Sequence, residues 1–118
     1  MKSMALSTHE EYFDNAAPEV RPLLLAIQAK VEELLPDTTR CIGYSMPAFR
    51  AGRIFFYFAA FKKHIGIYPP LTADAALVQE LMPYRGPKGN LSFPINQPLP
   101  LDLIGRVAVA LHRQYGSQ

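Results

Sequence analysis

Six residues have side chains suited to holding a ligand: Tyr44, Met46, Tyr57, His64, Tyr68 and Lys88. Tyrosine rings stack on planar groups and their hydroxyls donate hydrogen bonds. An imidazole switches its charge near neutral pH, and a lysine in a glycine-flanked loop meets a negative group. Together they describe a site for a small anionic or planar molecule. Five of the six fall within residues 44–69, YSMPAFRAGRIFFYFAAFKKHIGIYP.

That stretch reads as three antiparallel strands joined by two tight turns. With Lys62-Lys63 as a two-residue loop, Phe61 lies opposite His64, Ala59 opposite Gly66 and Tyr57 opposite Tyr68, all on one face. With Ala51-Gly52 as the earlier loop, the same face takes Tyr44, Met46, Ala48 and Arg50. The other face collects Phe49, Ile54, Phe56, Phe58, Ala60, Ile65 and Ile67; it is wholly apolar and needs helices to cover it. Phe55, Phe61 and Met46 are expected on the uncovered side. Lys-Lys is not a preferred two-residue turn; a four-residue loop keeps the same parity, whereas an odd loop would swap the faces of one strand. Pro47 argues against a continuous central strand over 44–50 and makes that segment an edge, a bulge or the start of a strand.

The flanking elements must supply the cover. Ser7-Thr8-His9-Glu10 looks like a capping box, with Ser7 as the cap, for a short helix to about residue 16. Pro18 suits the first turn of a second helix, in which Val20, Leu23, Leu24, Ile27, Val31, Leu34 and Leu35 recur at helical spacing. Gln28, Lys30, Glu32 and Glu33 mark its wet side, and Pro36 stops it. Residues 39–43 are a candidate first strand. Thr72 caps a helix over 73–82, residues 84–90 form a loop, and 91–95 alternate like a short edge strand. Leu101, Ile104, Val107, Ala108, Leu111 and Tyr115 form the buried stripe of a last helix. The order is ααβββαβα or ααββββαβα, depending on whether residues 39–43 pair. The fold class is α+β: one domain over 1–118, with helices on one face of an antiparallel sheet of four or five strands.

Composition limits the function. At 118 residues, the chain can bury a core without disulfides or metal. The single cysteine, Cys41, excludes an internal disulfide, fits a reducing compartment and reads as a small buried side chain. No apolar run is long enough for a membrane span, and the first twelve residues lack the apolar core of a signal peptide, so a cytoplasmic location is expected. Residues 1–37 hold three bases against seven acids, a balance of −4, and residues 38–118 nine against three, a balance of +6. Such asymmetry marks two surfaces of opposite sign, or halves that attract each other.

Several chemistries are set aside. His9, His64 and His112 lack the spacing of a zinc site, and no phosphate-binding glycine loop or nucleophile elbow is present. No carboxylate lies in the sheet region to orient His64, which favours non-catalytic binding over acid–base catalysis. Three occupants of the open face stay in play. One is the small anionic or planar ligand. Another is single-stranded nucleic acid on the aromatics beside Arg50, Arg53, Lys62, Lys63, Arg85 and Lys88, against which the short strands, Pro47 and modest net charge count. The third is a second copy of the chain, giving a homodimer.

The segments YSMPAF, FAAFKKHIGIYP and YRGPKGNLSFP, with QPLP before the last helix, resemble a bacterial family, the frataxin-like iron chaperones, a small YdhG-like domain of unassigned function. The matching residues are Tyr44, Met46, Pro47, Phe49, Phe58, His64, Gly66, Tyr68, Lys88, Gly89, Phe93 and Pro94, and the likeness runs from about residue 11 to 113. The resemblance implies an α+β fold and iron held weakly by surface carboxylates for delivery to iron–sulfur or haem assembly proteins. Glu10, Glu11 and Asp14 fall within one and a half helical turns and are the candidate iron ligands under that reading.

Overall fold

The computed structural model describes residues 7–116, so the first six of the twelve N-terminal residues read above lie outside the described residues. Helix α1 spans His9–Asn15 and α2 Arg21–Leu34. Four strands follow: β1 Thr39–Gly43, β2 Met46–Ala51, β3 Arg53–Ala60 and β4 His64–Tyr68. Helix α3, Ala75–Glu80, runs into a short 3-10 turn, Met82–Tyr84; then come β5, Leu91–Pro94, and α4, Leu101–Tyr115. The strands form one antiparallel meander in the order β1-β2-β3-β4-β5. The expected class, α+β with helices against an antiparallel sheet, is the observed one, and residues 39–43 do pair.

The core is the apolar side of this sheet. Phe49, Phe56, Phe58, Ile65, Ile67 and Phe93 are fully buried and meet Leu24, Ile27 and Val31 of α2 and Ile104, Val107, Ala108 and Leu111 of α4. The central ring is Phe58, with Phe49 stacked on it at 6.1 Å and His9, Phe13 and Phe56 around it. Helices α2 and α4 cross closely at Gly105, where a Cβ would stand 2.7 Å from Leu34 Cδ1.

The β3–β4 hairpin has the expected register: Tyr57 faces Tyr68, Ala59 faces Gly66, and the Phe61 N–H donates to the His64 carbonyl at 2.8 Å. The β2–β3 pairing departs from expectation. Phe49 faces Phe56 and Arg50 faces Ile54, so β3 carries one extra residue, Phe55, in a bulge. Phe55 therefore turns into the core, fully buried with its ring edge-on to His112 at 5.1 Å, and Ile54 takes the place on the other side. The expectation had these two reversed. Pro47 lies within β2, an internal strand. It faces Ile42 of β1, while the β3 ladder begins only at Ala48, so its missing N–H falls beyond that ladder.

Helix starts differ in detail. Thr8, not Ser7, caps α1: its Oγ1 accepts from the Glu11 N–H at 3.0 Å, and Glu11 Oε1 reaches back to the Ser7 N–H at 2.7 Å. The capping box is thus Thr8 with Glu11, one residue later than expected. Pro22 occupies the first turn of α2, as its position after Val20 allows, whereas Pro18 lies before the helix. Asp74, not Thr72, caps α3, accepting from the Leu77 N–H at 3.0 Å; the Thr72 hydroxyl instead accepts from Gln114.

Candidate functional site

The uncovered face is built from small floor residues and rings laid over them. Across the sheet Cys41, Ala48, Tyr57 and Tyr68 face one another in one row, and Ala59, Gly66 and Ser92 in the next. Directly opposed side chains of this kind lie about 5 Å apart at Cβ, so Tyr57 and Tyr68 are neighbours. Ala48, Ala59 and Gly66 are nonetheless buried, because larger side chains lie over them. A Cβ at Gly66 would stand 2.8 Å from the Tyr68 hydroxyl oxygen and 2.9 Å from Phe61 Cε2; one at Gly43 would stand 2.8 Å from Tyr57 Cε2. Glycine at these two positions lets the rings lie down on the backbone.

Tyr44 is not on a strand. With Ser45 it forms the two-residue β1–β2 turn, both at positive φ (51° and 62°). The left-handed region disfavours any residue with a Cβ, and Asn-Gly is the usual pair here. This turn holds the Tyr44 ring 85% exposed and 5.6 Å from the ring of Tyr57. At the opposite end His64 stacks on Phe61, ring centres 4.9 Å apart and planes 21° from parallel.

Five of the six predicted residues thus lie along one strip, with Phe61 as a member the binding set left out. His64 and Tyr68 sit at opposite ends of β4, about 13 Å apart by strand rise. The Tyr68 hydroxyl and the Phe61 ring meet over Gly66 and join the two ends. Met46 is half-buried beside the Tyr44 turn, facing Gly43. Lys88 stands apart, exposed in the loop over 86–90, which packs on Pro70 just beyond Tyr68.

The electrostatics favour anions. No Asp or Glu occurs in residues 38–73 or 81–101, which include all five strands and their turns. Arg50, Lys63 and Lys88 are exposed around the strip. Arg40 is drawn away by Glu10 and Glu32 on the helices. Burial, with Tyr44 and Cys41 close by, pushes the Tyr57 hydroxyl above its ordinary range, so it stays a donor. Burial also pushes the Cys41 thiol up against a smaller opposing pull from Arg50, which keeps it protonated and a poor nucleophile.

Behind the strip is a residue that sequence reasoning missed. His9 is 1% exposed beneath β1 and β2. Its Nε2–H is shared by the carbonyls of Ala48 (2.9 Å) and Cys41 (3.1 Å), and its Nδ1 accepts from Gln28 Nε2 at 3.0 Å. Two acceptors on one nitrogen and a donor on the other fix the neutral tautomer. Burial lowers its pKa; the two carbonyls oppose that and the Arg40 charge adds to it. Gln28, expected on the wet side of α2, is 7% exposed. The signal was available: Gln28 follows Ile27 and stands four residues after Leu24 and three before Val31, on the apolar stripe.

The proposed iron ligands are not gathered. Glu10 pairs with Arg40 at 3.0 Å, and Glu11 is engaged by the N–H and hydroxyl of Ser7. Asp14 is exposed on the same short helix. Among the described residues no group of three or more His, Cys, Asp or Glu is placed to hold a metal ion. Nor is any helix among them long and apolar enough to cross a membrane.

No curated protein matches the chain. The fold is similar to the crystal structure of a DUF1801-family protein, YdhG, from Bacillus subtilis, with a TM-score of 0.78 and 19% identity over 91% of this chain and 90% of that one. At that identity the likeness speaks for the fold alone. These findings overturn the resemblance to frataxin-like iron chaperones: neither the family model nor the structural relative is frataxin-like, and the reason for expecting iron at Glu10, Glu11 and Asp14 goes with it. The family model that matches, over residues 9–83, is a domain of unknown function, and the chain belongs to that family, DUF5655.

Proposed function

We propose that the uncovered sheet face is a non-catalytic binding surface for a planar, negatively charged small molecule in the cytoplasm. The supporting observation is the strip of Tyr44, Tyr57, Tyr68, Phe61 and His64 on a sheet without a carboxylate, edged by Arg50, Lys63 and Lys88. Rings supply stacking for any π-face and the cations supply the charge preference. The strained turn supports the same reading. Backbone held in a disfavoured region is a feature of functional sites, and here it places a ring in solvent beside Tyr57.

The experiment uses adenosine 5′-monophosphate as the planar anion and follows tyrosine fluorescence, since the chain has no tryptophan. The nucleotide should quench the signal, more weakly as salt rises. Tyr57→Ala should weaken binding about tenfold, the loss of one stacking partner. The double change Tyr44→Asn with Ser45→Gly should relieve the turn and raise stability by about 1 kcal/mol while weakening binding. No quenching at low salt, or equal binding by all three proteins, would overturn the proposal. A response to octathymidylate alone would shift it to single-stranded nucleic acid, and a concentration-dependent mass in sedimentation without nucleotide binding would shift it to a homodimer.

A further inference from the structure

A second feature lies off this face. A cleft of about 450 Å³ opens between the end of α1, the turn into α2 and the β3–β4 hairpin, within the size range of small-molecule sites. Its apolar lining is made by Ala17, Val20, Ala60 and Ile95, with Phe61 also at its border. Its polar groups divide by wall. On the hairpin side Lys62 contributes a cation. Beside it the Tyr12 hydroxyl accepts from the Ala60 N–H at 3.0 Å, which pins the oxygen and leaves its proton to donate. On the helix side Glu19 contributes a carboxylate. There the Asn15 amide nitrogen is taken by the Glu11 carbonyl at 2.8 Å, which leaves its side-chain carbonyl as an acceptor.

Donors face acceptors across an apolar lining, so the complementary ligand carries both signs. A simple fatty anion would set its body against Glu19, and a simple amine would face Lys62. We propose that this cleft binds a small apolar zwitterion of the amino-acid or dipeptide class. Its carboxylate lies on Lys62 and the Tyr12 hydroxyl, its ammonium on Glu19 and the Asn15 carbonyl, and its side chain on Val20 and Ile95. This site is separate from the aromatic strip, although Phe61 borders both.

The test is calorimetry on the whole protein with L-leucyl-L-phenylalanine, its N-acetyl form and its C-terminal amide. The free dipeptide should bind, and each blocked form should bind about fivefold more weakly, the scale of one charge-assisted contact at a partly open site. Glu19→Gln should erase the difference between free and acetylated peptide, and Lys62→Gln the difference between acid and amide. Both positions are exposed, so the variants should fold, and circular dichroism checks that. Tyr57→Ala should leave the dipeptide affinity unchanged. Absence of heat at millimolar dipeptide, equal binding of blocked and free forms, or loss of binding in Tyr57→Ala would each overturn the proposal, the last by placing the peptide on the sheet face.

Discussion

Phe58→Ala should lower the unfolding free energy by about 3–5 kcal/mol, the range for truncating a fully buried phenylalanine. The ring is 0% exposed and has Phe49 stacked on it, with His9, Phe13 and Phe56 within 6.2 Å between ring centres. Alanine removes the transfer free energy of the ring and leaves a cavity whose walls are other rings, held by a sheet on one side and two helices on the other. Those walls cannot close in without shifting α1. A domain of this size has a total stability of roughly 5–15 kcal/mol, so the variant should melt some 10–20 °C lower and sit near the threshold of folding. Urea denaturation checks it: the midpoint falls while the slope stays constant if the loss is one of packing alone. A loss below 1 kcal/mol would mean that the aromatic centre repacks freely.

His9→Leu should change the pH dependence of stability as well as its size. In the folded chain His9 is neutral and its pKa is lowered, chiefly by burial. In the unfolded chain it titrates near 6.5. Between its folded value and about 6.5 the unfolded state therefore binds the extra proton, and stability rises with pH. Read downward, wild-type stability is full above about pH 6.5 and falls as the pH drops below it, by up to about 1.4 kcal/mol per pH unit, until the folded value is reached. Carboxylates with lowered values, Glu32 beside Arg40 and Glu80 beside Arg106, act at lower pH, from their unfolded value of about 4.5 downward. The His9→Leu variant should lose the slope that sets in below about pH 6.5. It should also be less stable at pH 7.5 by roughly 1–3 kcal/mol, because Gln28 loses its buried acceptor. Melting curves at pH 7.5, 6.5, 5.5 and 5.0 read both effects. An unchanged slope in the variant would show that His9 is not the group responsible.

The sheet was legible where alternation is strict. Tyr57, Ala59 and Phe61 against His64, Gly66 and Tyr68 have one self-consistent pairing, and the structure has it. The bulge was not legible, because its extra residue, Phe55, follows another large apolar residue, Ile54, and exchanging them spoils neither face. Pro47 was legible as the entry to a strand: β2 starts at Met46 and the β3 ladder only at Ala48, so no continuous strand runs over 44–50. His9 escaped because a polar residue in a first turn normally faces water, and only its carbonyl and amide partners, from residues 28, 41 and 48, explain its burial. The ring-over-glycine paving is likewise tertiary. Gly43 and Gly66 read as plain strand residues until Tyr57 and Tyr68 are seen lying across them.

The aromatic strip is the part of the account on which the function rests, and heteronuclear NMR tests it directly. Titrating the protein with adenosine 5′-monophosphate should shift the aromatic ring signals of Tyr44, Tyr57, Phe61, His64 and Tyr68 together along one binding curve, with the core rings of Phe49 and Phe58 unmoved. Ring signals on the strip that stay fixed while the nucleotide saturates, or shifts confined to residues off the sheet face, would contradict it.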